Sequence, residues 1–225
     1  MNTSFESLLK FQEVANILPE KFQFGRALVV DLSRTSKIWQ QAAAEKKDVD
    51  TWVLSQMAER QAVMSIGRYN EQRPIYENTE QFADTPSRDL HIGLDLGVPS
   101  GTPCFSPLKA TVHSVADHQH QGDYGPTVIL RHQIEKVVFF TLFGHLASET
   151  LSHLTPGQTL AAGELLGWVG EKSENGGWAP HLHLQIIKEL GEYTDDYPGV
   201  AFMSDSEYML ANCPNPNLLI RRDDI

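Results

Sequence analysis

Cysteine is nearly missing from this 225-residue sequence, which has only Cys104 and Cys213. Two thiols so far apart in a large chain do not make a disulfide-stapled scaffold, and they read as reduced. Basic charge is also scarce. Against 29 Asp and Glu there are 18 Lys and Arg, a formal net charge of −11, which argues against nucleic acid or an anionic membrane as the main partner. No apolar run approaches the ~20 residues that cross a bilayer, so membrane insertion is not expected. The first ten residues lack a basic n-region, an unbroken apolar stretch and a small-residue cleavage site, and so do not form a secretory signal. The expected location is cytoplasmic; a place in the envelope would require another export route. No solenoid or propeller period is visible. No βαβ rhythm appears either, so a parallel sheet is not expected.

The length is enough to bury a substantial core as one domain, or as one domain with a large extension. Residues 3–17 read as a helix, with Thr3 and Glu6 in a capping-box spacing and Phe5, Leu8, Leu9 and Val14 on one side. Residues 25–32 read as a strand. Asp48 is placed to cap a second helix whose apolar face is Val49, Trp52, Val53 and Met57. Residues 65–78 form a polar connector. In it, Arg68, Tyr69 and Arg73 are expected to tie the connector to the body by hydrogen bonds. The division that results is an N-terminal helical or mixed α/β accessory region over 1–83 and a main domain over 84–225.

From Leu90 onward, short β-rich runs alternate with turn clusters, as in an all-β sandwich or barrel. Strands are expected over 90–94, 103–105, 110–116, 127–132, 137–143, 159–160, 165–169 and 181–187. The tail after Ile187 is acidic and turn-prone, and its Leu218-Leu219-Ile220 is a weak candidate for an edge strand.

The chemistry gathers at two ends of this region, His-Ile-Gly-Leu-Asp at 91–95 and His-Leu-His at 181–183. In extended chain, the two-residue alternation puts His91, Gly93 and Asp95 on one face, and His181 with His183 on another. Gly93 leaves space where a bulky residue would obstruct a cation. Two imidazoles and one carboxylate suit zinc with one coordination position left open, the arrangement of a catalytic site. His145, ending the run that starts at Val137, offers a further imidazole to the same pocket.

These segments, together with the runs from Tyr124 to His132, Phe143 to Leu146, Pro156 to Gln158, Ala162 to Glu164 and Pro180 to Leu184, resemble the M23 (LytM/lysostaphin-like) zinc metallopeptidases in order and spacing. The similarity covers roughly residues 88–188. The resemblance implies a two-layer antiparallel β fold with its site in a groove across one sheet. It also implies that His91, Asp95 and His183 bind Zn2+, while His145 and His181 act on the substrate or the attacking water. The implied activity is that of a zinc-dependent endopeptidase acting on peptidoglycan-like or other short peptides. The sequence departs from the family pattern at Trp178, placed beside the site where small residues are usual, at Ala110 in place of glycine, and at Phe143 in place of tyrosine.

Other histidines carry less. His118-Gln-His120 lies in a turn-rich stretch and reads as a surface loop, His132 as a packing or supporting residue, and Cys104 as a buried strand residue. Two rival functions stand beside the hydrolase: a non-catalytic or regulatory module of the same shape, and a cytoplasmic partner domain of a metabolic enzyme. Retention of His91, Asp95, His145, His181 and His183 speaks against the first.

Overall fold

Alternating apolar residues from both halves of the chain build one open sheet. The computed structural model describes residues 4–75 and 88–225. The strands are β1 (Ala27–Val30), β2 (Met64–Gly67), β3 (Glu71–Gln72), β4 (Leu90–His91), β5 (Leu94–Gly97), β6 (Pro103–Phe105), β7 (Ala110–His118), β8 (Gly125–Ile134), β9 (Val137–Gly144), β10 (Thr159–Leu160), β11 (Leu165–Trp168), β12 (Leu182–Ile187) and β13 (Val200–Ala201). The main sheet has eight strands in the order β1-β2-β5-β12-β9-β8-β7-β10, and β13-β4-β3 and β11-β6 form two smaller sheets. The fold is mainly β, as expected, and antiparallel over most of its width. It does not close into a barrel.

The sheet is covered on both faces, which is why β12 is buried along its whole length. Val128, Leu130, Phe143, Leu184 and Ile186 point into a core completed by Leu9, Ile17, Leu18 and Ile220. Ile129, Leu142 and Ile187 point the other way, toward Leu90, Ile92, Tyr124 and Tyr197.

The largest departure from expectation lies in the N-terminal part. β1 and β2 pair in parallel, Val30 beside Gly67, joined through α3 (Ile38–Ala44) and α4 (Val49–Glu59). This is a βαβ unit. Its two strands are short and its crossover is split between two helices, so the usual sequence rhythm is blurred. The Asp48 carboxylate caps α4 by accepting from the Thr51 amide at 2.7 Å, as its position suggested. β2 then runs antiparallel to β5, so residues 65–67, expected to lie at the head of a polar connector, belong to a strand of the main sheet. The expected domain boundary at 83/84 lies outside the described residues.

Smaller differences have local causes. The first helix is confined to α1 (Phe5–Lys10), capped by Ser4, and a four-residue α2 (Glu20–Gln23) follows; Thr3 lies outside the described residues. The single strand expected over 90–94 is broken at Ile92 and Gly93 into β4 and β5, which belong to different sheets. α5 (Thr150–His153) packs near β11, and α6 (Ser206–Asn212) precedes the last helix. Leu218 to Ile220 are not an edge strand: they form α7 (Asn217–Ile220), with Leu219 and Ile220 buried in the main core. Asn217 anchors that turn by donating to the carbonyls of Arg222 and Ile225.

Candidate active site

One row of the main sheet sets the site. Val30, Gly67, Asp95, His183 and Gly144 are successive register partners across β1, β2, β5, β12 and β9. Partners in adjacent strands stand on the same face, so Asp95 and His183 project side by side, with Oδ1 and Nδ1 3.0 Å apart. His91 arrives from the smaller sheet, across the break at Ile92 and Gly93. Its Nε2 lies 3.1 Å from Asp95 Oδ1 and 3.2 Å from His183 Nδ1. His91 and Asp95 therefore converge from two sheets, not along one strand face. Gly93 leaves room for the His183 imidazole, since a Cβ there would collide with its Cε1 and Nε2. Among the described residues, these three are the group able to hold a metal ion.

The outer atom of each ring fixes its proton. His91 Nδ1 is 2.8 Å from the Arg68 carbonyl, His145 Nδ1 is 2.9 Å from that of Asn175, and His181 Nδ1 is 2.7 Å from that of Ala179. A carbonyl only accepts, so each of these nitrogens is the N–H of its ring. His183 Nε2 meets Gln185 Oε1 at 3.1 Å, and the Gln185 amide is oriented by donating to the Pro198 carbonyl. Nε2 is accordingly the protonated nitrogen of His183. All four rings turn a lone pair inward. His91 Nε2, His183 Nδ1 and Asp95 Oδ1 thus face one another at hydrogen-bond distance with no proton among them, an arrangement that a cation relieves.

His145 and His181 flank this trio. His145 follows β9 in a left-handed conformation (φ 61°), uncommon for a residue with a side chain. Its amide donates to the Tyr124 carbonyl at 2.9 Å. His181 lies just before β12, with Nε2 3.8 Å from Asp95 Oδ1. The two rings are 4.2 Å apart. Tyr124 packs against His145 and His183, with its hydroxyl donating to the Tyr197 carbonyl. Trp178 lies edge-on to His145 and lines the cavity. Phe143 does not reach it: the side chain points into the core on the opposite face, fully buried.

A buried arginine supports the trio from behind, and only its hydrogen-bonding character was expected. Arg73 is 2% exposed. Its guanidinium donates to Asp95 Oδ2 at 2.6 Å, to Glu71 Oε2 at 2.9 Å and to the Arg68 carbonyl at 3.0 Å. Gly67 makes room for it, because a Cβ there would come within 2.8 Å of Nη2. Tyr69 does tie this segment to the body, donating to the Cys213 carbonyl at 2.7 Å. Alternation along β12 offered a sign of Gln185, two residues past His183 on the same face. The letters marked Arg73 only as one of three hydrogen-bonding residues of the connector, beside Arg68 and Tyr69; its position behind the trio depends on Glu71 pairing with His91 across β3 and β4.

Burial, reinforced by the Arg73 charge, holds His91 down to about 4. Burial also opposes charge on Asp95, but the positive charge of Arg73 beside it holds its carboxyl well below the usual carboxylate range. His145 is held well below the ordinary histidine range by burial and its neighbouring imidazoles, and His181 is lowered chiefly by burial.

The remaining candidates lie elsewhere. His118 is the last residue of β7, not part of a loop as expected, and meets the Asp195 carbonyl at 3.1 Å, while His120 is exposed on the loop that follows. His132 stacks on Phe139 inside the core. Cys104 and Cys213 are both buried free thiols, pushed upward by burial. The five candidate residues line one cavity of about 630 Å³. No helix among the described residues is long and apolar enough to cross a membrane.

Residues 89–195 match the model of peptidase family M23. Among solved structures, a zinc-containing peptidase from Vibrio cholerae is 22% identical, with 53% of this chain and 31% of that one covered and a TM-score of 0.39. The catalytic domain of the prophage-encoded M23 protein EnpA from Enterococcus faecalis is 24% identical, covering 44% and 69%, with a TM-score of 0.36. The catalytic domain of the antimicrobial peptidase lysostaphin from Staphylococcus simulans is 19% identical, covering 54% and 80%, with a TM-score of 0.36. This chain spans under a third of the Vibrio protein. No curated protein sequence matches it.

Proposed function

We propose, on the premise that residues 89–195 belong to peptidase family M23, that this chain is a zinc-dependent endopeptidase acting on short or peptidoglycan-derived peptides. His91, Asp95 and His183 hold the metal through Nε2, Oδ1 and Nδ1. What supports this most is the inward set of lone pairs: three donor atoms 3.0–3.2 Å apart, against the ~3.3 Å edge of a tetrahedron with bonds of ~2.0–2.1 Å. The outward N–H groups give the outer contacts that metal-bound histidines usually make.

When bound, zinc supplies Lewis acidity toward a peptide carbonyl and lowers the pKa of water toward ~7. The chain's own groups do the rest. His145 keeps its Nδ1 proton on the Asn175 carbonyl, so Nε2 is the atom that accepts or returns a proton. His181, similarly held at Ala179, presents Nε2 beside the ligand trio. One of the two rings would take a proton of the attacking water on Nε2 and, as the imidazolium so formed, return it to the oxygen that gains charge or to the departing amine. Arg73 occupies Asp95 Oδ2, which leaves Oδ1 as the binding atom. Tyr124 and Trp178 wall the cavity and limit water beside the two imidazoles.

The test is zinc content by elemental analysis together with hydrolysis of glycine- and alanine-containing peptides and peptidoglycan fragments, with and without chelator. One equivalent of zinc and chelator-sensitive cleavage are expected. Cleavage that persists after the metal is stripped would refute the reading.

A further inference from the structure

The cavity that holds the histidines does not end at them. It continues across β5, β2 and β1 into a trough lined by Val30, Leu32, Val53, Leu54, Met57 and Val63. Sheet register explains the layout. Ser65 and Gly67 face the same side as Gly97 and Asp95, and the small side chains keep the floor low between the candidate metal ligands and Val30. Helix α4 lies over this face and forms the far wall, packing through Val53 and Met57 near Leu28 and Val30. That packing is incomplete. No residue of α4 is fully buried, and Leu54 and Val63 remain 64% and 39% exposed. The trough carries little charge at this end, with Asp50 on its rim in a 3.9 Å pair with Lys172.

We infer that this trough is a specificity subsite for an apolar side chain of the peptide substrate, two or three residues from the bond that is cut. The inference rests on the hydrolase reading for the identity of the occupant, because trough and histidines share one cavity. The spacing follows from the sheet. Val30 is two strands from Asp95, about 10 Å at ~4.8 Å per strand, and an extended peptide covers that distance in about three residues at ~3.3 Å each. The chemistry follows from the lining. A leucine- or phenylalanine-sized group would cover Leu54 and Val63, whereas a carboxylate would lose its hydration beside Asp50 in a chain of net charge −11.

The probes are acetylated, amidated pentaglycine peptides carrying Leu or Asp at one position each. With zinc-loaded full-length protein, kcat/KM should favour Leu over Asp by about tenfold or more at one position two or three residues from the cut, the scale expected for burying a leucine side chain. Leu54→Asp and Val63→Ser should each reduce that ratio at least fivefold at this position only. Their thermal midpoints serve to confirm folding. Cleavage with no such preference, or a preference untouched by both substitutions, would overturn the subsite while leaving the hydrolase reading intact. If no peptide is cut, the hydrolase reading fails, and calorimetric titration with the same peptides decides the trough: Leu-bearing peptides binding no better than Asp-bearing ones would overturn it as well. A concentration-dependent dimer abolished by Leu54→Asp would give the trough to a second copy and overturn it too.

Discussion

Arg73 and Asp95 are joined by a buried ion pair, Nη1 to Oδ2 at 2.6 Å, with the guanidinium side chain only 3% exposed. Asp95 therefore has one oxygen committed to an arginine that lies before the matched segment 89–195, and the other directed at two imidazoles. Glu71 balances the pair with a second carboxylate 2.9 Å from Nε. Removing one member of such a cluster leaves an uncompensated buried charge.

Arg73→Met is accordingly expected to destabilise the protein by about 3–5 kcal/mol and to weaken zinc binding about 10–100-fold. Arg73→Lys keeps the charge but loses the planar fork that reaches Asp95, Glu71 and the Arg68 carbonyl together, so its zinc affinity should fall between the two. Competition with a chelating dye, alongside thermal melts, measures both effects. Wild-type affinity in a folded Arg73→Met protein would remove Arg73 from the support of the site.

Gln185 is expected to act through His183 alone. Gln185→Leu frees the imidazole to turn and to exchange its proton between nitrogens, lowering zinc affinity about 10–100-fold, while His183→Ala should abolish zinc binding. Elemental analysis after dialysis against trace chelator separates the two. One equivalent of zinc retained by His183→Ala would refute its assignment as a ligand.

His145→Ala and His181→Ala should each keep the metal and lose turnover by about 10²–10⁴-fold, the usual scale of a positioned acid or base. Unchanged kcat in either variant takes that residue out of the mechanism.

Gly93→Ala is expected to cost about 1–3 kcal/mol and to empty the metal site, because the added methyl group occupies the space of the His183 ring. Spectroscopic titration with cobalt in place of zinc would reveal a displaced ligand; a wild-type cobalt spectrum contradicts the steric argument.

Away from the site, His132 sets an acid limit on stability. Burial lowers it from 6.5 to about 4, opposed by its contact with the Lys109 carbonyl. The unfolded chain takes up this proton as pH falls below 6.5, whereas the folded chain resists until about 4, so the neutral ring's contribution is complete above 6.5 and is lost through that window. Its size is about 3 kcal/mol at ~1.4 kcal/mol per unit. Urea denaturation across pH 4–7 should show a shallower acid limb for His132→Gln than for wild type. Equal slopes would mean that other groups carry the acid sensitivity.

Much of the strand content was legible in the sequence through local alternation, while the grouping of the five candidate residues was legible through the order and spacing of the segments that resemble the M23 family. Asp48 announced its helix through a capping side chain close to the residues it serves. What escaped reading depended on pairing between distant segments. The βαβ unit is set by β1 lying beside β2, and the break between His91 and Asp95 by β4 and β5 joining different sheets, neither of which changes the alternation of letters. Arg73 resembled any polar connector residue until Glu71 was seen opposite His91. Leu218 to Ile220 are apolar enough for a strand, but Asn217 winds them into a helix by gathering the Arg222 and Ile225 carbonyls.

The pairing of β2 along β5 also limits how the molecule can be dissected. A fragment trimmed to residues 89–195 would bare the backbone donors and acceptors along Leu94 to Gly97, an open flank that invites strand-to-strand aggregation. Such a fragment would also part Asp95 from its guanidinium. Expression of that piece alone should therefore yield insoluble material, and a shortened protein meant to retain the intact cleft needs to begin upstream of β1.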